Sequence, residues 1–557
     1  MKIVIIGSVA AGTSVAAKAR RNTEEAEIVV YDQDKDISYS ICGIPYYIGE
    51  EVEELDKLTP RNAAWFKKRY NVDIFTEHRV TAIHPETQTL EVENLQTKEK
   101  KTESYDELVL ATGAKPIVPE IFKAQQANRN LFHVRTIQDA AAIHSFIEKE
   151  KPQQATIIGA GFIGLEMAEQ LVHKGIEVTI IQRGNQVMKQ MDADMAYRVQ
   201  KELENNHVKL QLNTTITKVI EKDGYITELA TNQEQPIKSD LVILAAGVTP
   251  NTSLIQSTTI QLGKSGAIKV NKKMQTTVPH IYAVGDVAES YSVITDKPIY
   301  RPLGSTANKM GRIAGDIITG GTLEHRGILG TGIVRVFDLA VAYTGLTEKE
   351  AQLEGLETAI LYNIKPDHAD YLGGKELTIK ALADKSSGRI LGAQIIGEQG
   401  VDKRIDVIAT AISFGAVAED LFHLDLAYAP PFATTKDPVL YTGMALDNAI
   451  SNGTPLMTPA ELIERQANGE QLQIIDTRSK KQYEISCVKG AIHIPLAEIR
   501  NRVAELDKNV TTITYCNKGV TGNAAQNILL NEGFKEVYNL SGGNKNYQII
   551  AQMLASN

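Results

Sequence analysis

"ATIIGAGFIGLE", residues 155–166, leaves an apolar strand, turns through Gly159, Gly161 and Gly164, and enters a helix. Glycines so spaced let a backbone approach a pyrophosphate, while the helix N-terminus offers unpaired N–H groups and partial positive charge. The fold class follows from this stretch: α/β, built on a Rossmann-like dinucleotide-binding unit. The next apolar strand, "EVTIIQR", ends in Gln182 and Arg183. An acid there would hold a ribose 2′-hydroxyl. Its absence beside Arg183 leaves room for a 2′-phosphate, which inclines the reading towards NADPH over NADH.

A second copy of the unit opens the chain. "KIVIIGSVAAG", residues 2–12, has Gly7 and Gly12, the turn residues Ala10 and Ala11, and Val9 at the middle glycine position. Asp32 closes the following strand, "EIVVYD", at the distance of about 20 residues where an acid reaches a ribose hydroxyl. Two further strands, "YDELVLATGAKP" with Thr112 and Gly113 and "LVILAAGVTPN", end in small-residue turns. "TTVPHIYAVGDVAE" ends at Gly285 and Asp286.

These motifs, in this order, resemble the pyridine nucleotide-disulfide reductases, flavoproteins with two dinucleotide-binding domains, over roughly residues 1–445. The resemblance implies FAD held by residues 1–150 and 271–325, with Asp286 on its ribityl chain. It implies NAD(P)H held by 151–270 and an α+β dimerisation domain at 326–446 that builds a homodimer. A polar stretch at 447–459 reads as a linker. Residues 460–557 resemble one α/β rhodanese domain, with "LQIIDTR", "TTITYC" and "CNKGVTG" in order.

Composition narrows the class. The chain has 557 residues and a net charge of −9, without the basic surplus of a nucleic-acid binder. No apolar run is long enough to span a membrane. The first residues enter a strand at once, without a signal peptide. Three cysteines in this length point to a reducing cytoplasm rather than a disulfide scaffold. No His/Cys/Asp cluster has metal-ligand spacing, so no metal is expected, and His368 and His493 read as packed or surface residues.

Cys42 lies in "SYSICGIPYY", residues 38–47, with no second cysteine nearby. Two chemistries remain open for a single thiol beside a flavin. In flavoprotein NADH oxidases and peroxidases the thiol cycles through sulfenic acid. In coenzyme A-disulfide reductases it forms a mixed disulfide with coenzyme A. The peroxidase group carries a histidine in its first glycine turn, where Ala10 stands here. "HADYLGG" and "AYAPPFATTKDP" resemble the coenzyme A-disulfide reductase signature, implying catalytic tyrosines Tyr371 and Tyr428 and a coenzyme A contact at Lys436. By the same resemblance Ser38 contacts substrate, and Ser14, Lys18 and Arg21, on one helix face, hold the nucleotide end of coenzyme A. Ile41 stands where many relatives have asparagine. A third, non-catalytic reading is a sulfur-carrier or redox-sensing scaffold.

Cys516 ends a strand before a glycine-rich loop whose N–H groups can stabilise a thiolate or persulfide, with a helix expected about six residues on. Rhodanese loops often carry arginine where Thr521 stands, which favours an uncharged or polymeric sulfane donor over thiosulfate. Cys487 reads as structural. The two modules together suggest a relay in which Cys516 carries sulfane sulfur, coenzyme A accepts it, and Cys42 reduces the coenzyme A persulfide.

Overall fold

The computed structural model describes residues 1–556, which divide into two compact units: 1–185 with 207–330, and 186–206 with 331–556.

The first unit holds two parallel five-stranded sheets. One has the order Ile281–Ala283, Glu107–Leu110, Lys2–Ile6, Glu27–Tyr31, Asp73–Phe75. Its central strands are continuous apolar runs because both faces are covered: helix Ala11–Asn22 packs on the sheet, and Val80, Ile83, Leu90 and Val92 of an antiparallel meander join the same core. The chain leaves Lys2–Ile6 towards Glu27–Tyr31 on one side and returns at Glu107–Leu110 on the other. That reversal opens a crevice at the carboxyl ends of the strands, where open α/β sheets bind ligands. An antiparallel meander, His78–His84, Thr89–Asn94 and Lys100–Ser104, fills the connection.

The other sheet has the order Lys209–Gln211, Glu177–Ile181, Gln154–Ile158, Leu241–Leu244, Leu131–His133. Its last strand moves a boundary. Residues 131–133 pair in parallel with 242–244, so the second nucleotide unit begins before the boundary expected at 150/151. Three residues carry too little periodicity to announce a strand.

In the second unit an antiparallel sheet, Gly332–Val336, Leu339–Gly345, Ile390–Gly397, Glu376–Asp384, Thr358–Pro366, backs onto helices Val401–Ser413 and Pro438–Ser451. The expected linker is shorter than its composition suggested. Residues 447–451 finish a helix that starts on Pro438, capped by the Asp437 carboxylate, and Leu456–Met457 already pair with the C-terminal sheet. Polar, glycine-containing sequence suits a helix end as well as a linker. The C-terminal sheet is parallel, ordered Leu456–Met457, Val537–Leu540, Thr512–Tyr515, Gln473–Asp476, Ile492–His493. Helix Ala193–Asn205 also belongs to this unit. Within it, Lys380 is buried between Asp192, Asp194 and Glu348 at 3.0, 2.9 and 2.9 Å.

Candidate active site

The N-terminal crevice gathers what the motifs promised. Gly7, Asp32, Thr112–Gly113 and Gly285–Asp286 each follow a strand of one parallel sheet, so register alone brings their ends together. Gly7 has φ +105°, and a Cβ there would collide with the Ala111 carbonyl; Gly12 packs onto the Gly7 carbonyl. Buried Asp32 accepts from Ser8 N (2.7 Å), Ser8 Oγ (2.6 Å) and Asp34 N (2.9 Å). Burial raises its pKa and the Ser8 hydrogen bonds oppose the rise. Gly285 packs against Ala11 at the start of helix Ala11–Asn22, preceded by Ala10. Asp286 lies 3.8 Å from Arg135; burial pushes its carboxyl up and Arg135 pulls it back. Buried Asp32 beyond the second strand and half-buried Asp286 at a helix start are acceptors suited to the hydroxyls of a flavin nucleotide, and these residues fit FAD.

The second fingerprint repeats the geometry. Gly159 (φ +113°) would strike the Ala245 carbonyl with any Cβ, and Gly164 rests on the Gly159 carbonyl. Gly161 differs: a Cβ there meets nothing within 4 Å. The first and third glycines serve internal packing, while the middle one leaves space for a ligand. Gln182 accepts from Ala160 N at 3.3 Å, where an acid would hold a ribose, and Arg183 is exposed beside it. The arrangement fits a nicotinamide dinucleotide.

Cys42 is solvent-exposed in a short 3-10 turn, Ile41–Gly43, that leads into helix Ile44–Ile48. Atoms packed behind the sulfur desolvate it, and this burial is the main cause of a raised thiol pKa; Glu166 and Asp286 add to it and Arg135 opposes it. Burial, with the two carboxylates outweighing Arg135, therefore holds Cys42 towards the thiol. Glu166, from the helix of the second fingerprint, also accepts from Tyr46 Oη at 3.2 Å. Sequence reading missed Glu166 and Arg135 because they come from distant segments. Removing the Glu166 charge should lower the Cys42 pKa. Glu166→Gln is expected to shift the pH midpoint of Cys42 alkylation downwards, so that alkylation at neutral pH is faster than in the parent; an unchanged midpoint would contradict this account.

The expected coenzyme A residues fall into two groups. Ser14 Oγ donates to the Ala10 carbonyl (2.8 Å) and to Asn308 (2.7 Å). Lys18 faces helix Gly304–Ile318 and pairs with Asp316 at 2.9 Å, so its charge is already neutralised. Lys18 holds the Asp316 carboxyl down at about 2. Ser38, at φ +50°, donates its N–H to Ser8. Arg21 donates to Tyr70 Oη at 2.9 Å and lies over that ring. Around it stand Arg61 and Arg69 over Trp65, with Arg69 also over Tyr70. Arg69 and Arg21 lower the Tyr70 pKa, a sign of concentrated positive charge. The spacing W-x3-RY could have exposed Trp65 and Arg69, since i,i+4 positions share a helix face, whereas Arg61 joins them from before the Asn62 cap. In the second unit, Tyr371 and Tyr428 are 78% and 50% exposed, and Lys436 lies 5.8 Å from the Tyr441 ring.

Two carboxylate–histidine sets, Glu50/His144/Glu148 and Glu51/Glu169/His173, come close in space; His144/Glu148 and Glu169/His173 are i,i+4 pairs on single helices, while Glu50 and Glu51 join them from a distant segment. Lys174 already bridges Glu50 and Glu148 at 2.6 and 3.2 Å. His368 is held by Asp367 at 2.8 Å, and His493 Nε2–H donates to the Arg478 carbonyl at 2.9 Å while its ring stacks on Tyr483.

Cys516 is buried at the end of strand Thr512–Tyr515. Gly519 N–H donates to its Sγ at 3.1 Å. The helix starts at Val520, earlier than expected, because Gly519 at φ +102° turns the chain into it directly. Asn544 N–H holds the Cys516 carbonyl at 2.8 Å, and Asn539 Nδ2 holds the Gly519 carbonyl at 3.1 Å. Beneath the loop, buried Asp476 takes Arg478 at 2.6 Å and Tyr515 Oη at 2.6 Å. The result is a rigid thiol cradle. Among the described residues no helix is long and apolar enough to cross a membrane.

Comparison with known proteins agrees with this geometry. Residues 1–307 match the pyridine nucleotide-disulphide oxidoreductase model, 332–438 its dimerisation domain, and 458–549 the rhodanese-like domain. The chain is 36% identical over 453 residues to an NAD(P)H coenzyme A polysulfide/persulfide reductase of Pyrococcus horikoshii, covering 80% of this chain and 98% of the relative. It is 34% identical over 444 residues to a coenzyme A disulfide reductase of Staphylococcus aureus, covering 79% and 99%. The crystal structure of reduced Bacillus anthracis CoADR-RHD superposes with a TM-score of 0.95 at 39% identity, covering 99% of this chain and 98% of that one.

Proposed function

The chain belongs to the pyridine nucleotide-disulphide oxidoreductase family and carries a rhodanese-like domain; from that premise we propose that it reduces coenzyme A disulfide or coenzyme A persulfide with NAD(P)H at Cys42. The observation that carries the reading is an exposed single thiol in the same unit as the flavin crevice, electrostatically coupled to Asp286. Without a second cysteine beside it, the disulfide partner comes from solution.

Bound FAD would supply the two-electron relay between nicotinamide and sulfur, held by the Gly7–Gly12 turn, Asp32, Thr112–Gly113 and Gly285–Asp286. Gly159, Gly161, Gly164 and Arg183 would hold the nicotinamide dinucleotide, with Arg183 favouring NADPH. The Cys42 thiolate attacks one sulfur of coenzyme A disulfide. A sulfur–sulfur bond to Cys42 forms, the original one breaks, and coenzyme A thiolate leaves with the electron pair. Two electrons from NAD(P)H and a proton then release the second coenzyme A. Arg135 favours the attacking thiolate against Glu166 and Asp286. Arg21, with the Arg61–Trp65–Arg69–Tyr70 surface, offers stacking and cations for the adenine and 3′-phosphate. Lys18 assists if its pair with Asp316 opens. In a homodimer built through the dimerisation domain, Tyr371, Tyr428 and Lys436 serve the coenzyme A thiol end. Cys516 carries sulfane sulfur as a persulfide and passes it to coenzyme A.

The test is intact mass of the purified protein together with steady-state NAD(P)H oxidation. A coenzyme A adduct mapping to Cys42, and turnover that requires coenzyme A disulfide or persulfide, is expected. NADH consumption driven by oxygen or peroxide alone would establish the oxidase reading instead. Negligible turnover with every acceptor would leave the scaffold reading.

A further inference from the structure

The loop after Cys516 lacks an arginine, and its Thr521 makes only a neutral contact, Oγ1 to Thr477 Oγ1 at 3.4 Å. Positive charge reaches the site from another domain. Strand Thr358–Pro366 of the dimerisation sheet runs beside the C-terminal sheet: Tyr362 N–H donates to Ser541 Oγ at 2.8 Å, and Ser541 Oγ donates to the Ile360 carbonyl at 3.3 Å. Gly543, just beyond Ser541, packs on the Cys516 carbonyl. Farther along, Pro366 pairs with Glu376, whose carboxylate holds both Lys518 of the Cys516 loop and Lys545. Lys365 lies between these two anchors, half-buried, with its Nζ 3.7 Å from the centre of the Tyr441 ring. Lys436 approaches the same ring at 5.8 Å.

We infer that Lys365 is a specificity-determining cation of the Cys516 centre and that it draws an anionic sulfane-sulfur donor, a hydropolysulfide or thiosulfate, to the thiol. Lys518 spends its charge on Glu376, whereas no carboxylate pairs with Lys365 among the described residues. Its ammonium meets a π face, which leaves its charge available to a ligand. Electrostatics agree: burial and Lys518 hold its pKa below the usual lysine value, and Cys516 acts on it in the opposite sense. The step balances. The Cys516 thiolate attacks the outer sulfur of thiosulfate, the donor's sulfur–sulfur bond breaks, and sulfite leaves with the electron pair while Cys516 persulfide remains. With a hydropolysulfide, the leaving group is the chain shortened by one sulfur.

The inference rests on the rhodanese reading of Cys516, and the test separates the two. In the full-length holoenzyme, single-turnover sulfur loading of Cys516 is followed by mass with thiosulfate and with inorganic tetrasulfide at several ionic strengths. Alkylation of Cys516 by anionic iodoacetate and neutral iodoacetamide is measured in parallel. Lys365→Gln is expected to slow loading by both anions on the order of tenfold, the scale of one charge acting across several ångströms of protein surface. It should flatten the salt dependence and lower the iodoacetate-to-iodoacetamide ratio, and Lys365→Arg should restore all three. Equal loss with iodoacetate and iodoacetamide, or unchanged loading by both donors, would overturn the role of Lys365. If Cys516 accepts sulfur from neither donor even in the parent, the rhodanese reading fails, while the alkylation ratio still decides whether Lys365 attracts anions.

Discussion

Cys42→Ser is expected to reduce turnover with coenzyme A disulfide by at least about a thousandfold, the scale seen when a covalent nucleophile is removed. Serine keeps the volume and the turn but cannot form a sulfur–sulfur bond. NAD(P)H oxidation should fall together with the coenzyme A adduct, because one atom carries both. Sulfur loading of Cys516 should persist, since that thiol lies in a separate domain with its own cradle. Cys487→Ser, in contrast, should leave the reductase rate near the parent value. A Cys42→Ser protein within about tenfold of the parent would place the chemistry elsewhere.

The second large effect is structural. Lys380 is fully buried and answers Asp192, Asp194 and Glu348 at once, while Tyr362 Oη donates to Asp194 at 2.6 Å and Gln394 Nε2 to Asp192 at 2.6 Å. Lys380→Met removes the cation and strands two buried carboxylates. Breaking a buried pair from one side typically costs about 3–5 kcal/mol. The variant should therefore melt well below the parent, and the loss should depend on pH with a definite sign. In the parent, burial pushes Asp194 up but Lys380 and Tyr362 outweigh it, leaving its pKa depressed. Its contribution is full above the unfolded aspartate pKa and is lost as pH falls through the lower, folded value. Without Lys380, burial dominates, the folded pKa rises, and protonation favours the folded state. Lowering the pH from neutrality should thus narrow the gap between the two melting temperatures. A gap that stays constant or widens on acidification would show that Lys380 is not balancing these carboxylates.

Much of this molecule is local, and so was readable. A strand, a glycine turn and a helix are neighbours in sequence, and the collision that forbids a Cβ at Gly159 follows from the turn itself. Asp32, Thr112, Gly113 and Asp286 were equally accessible, because each ends an apolar strand and parallel pairing aligns strand ends. Lys18 shows where such reasoning stops. Its helix spacing was right, but the opposing helix and its Asp316 are some three hundred residues away in the chain. The strand at 131–133 was similarly hidden, since its identity comes from the neighbour it pairs with.

The sequence by itself determined the modules, the two nucleotide folds and the two candidate thiols, because those depend on short-range backbone geometry and on scarce residue types. Only the tertiary structure decided the charge each thiol experiences. Glu166 and Arg135 reach Cys42, and Lys365 reaches Cys516, from segments far away in the chain. Electrostatic interaction depends on distance through space, and folding alone sets that distance.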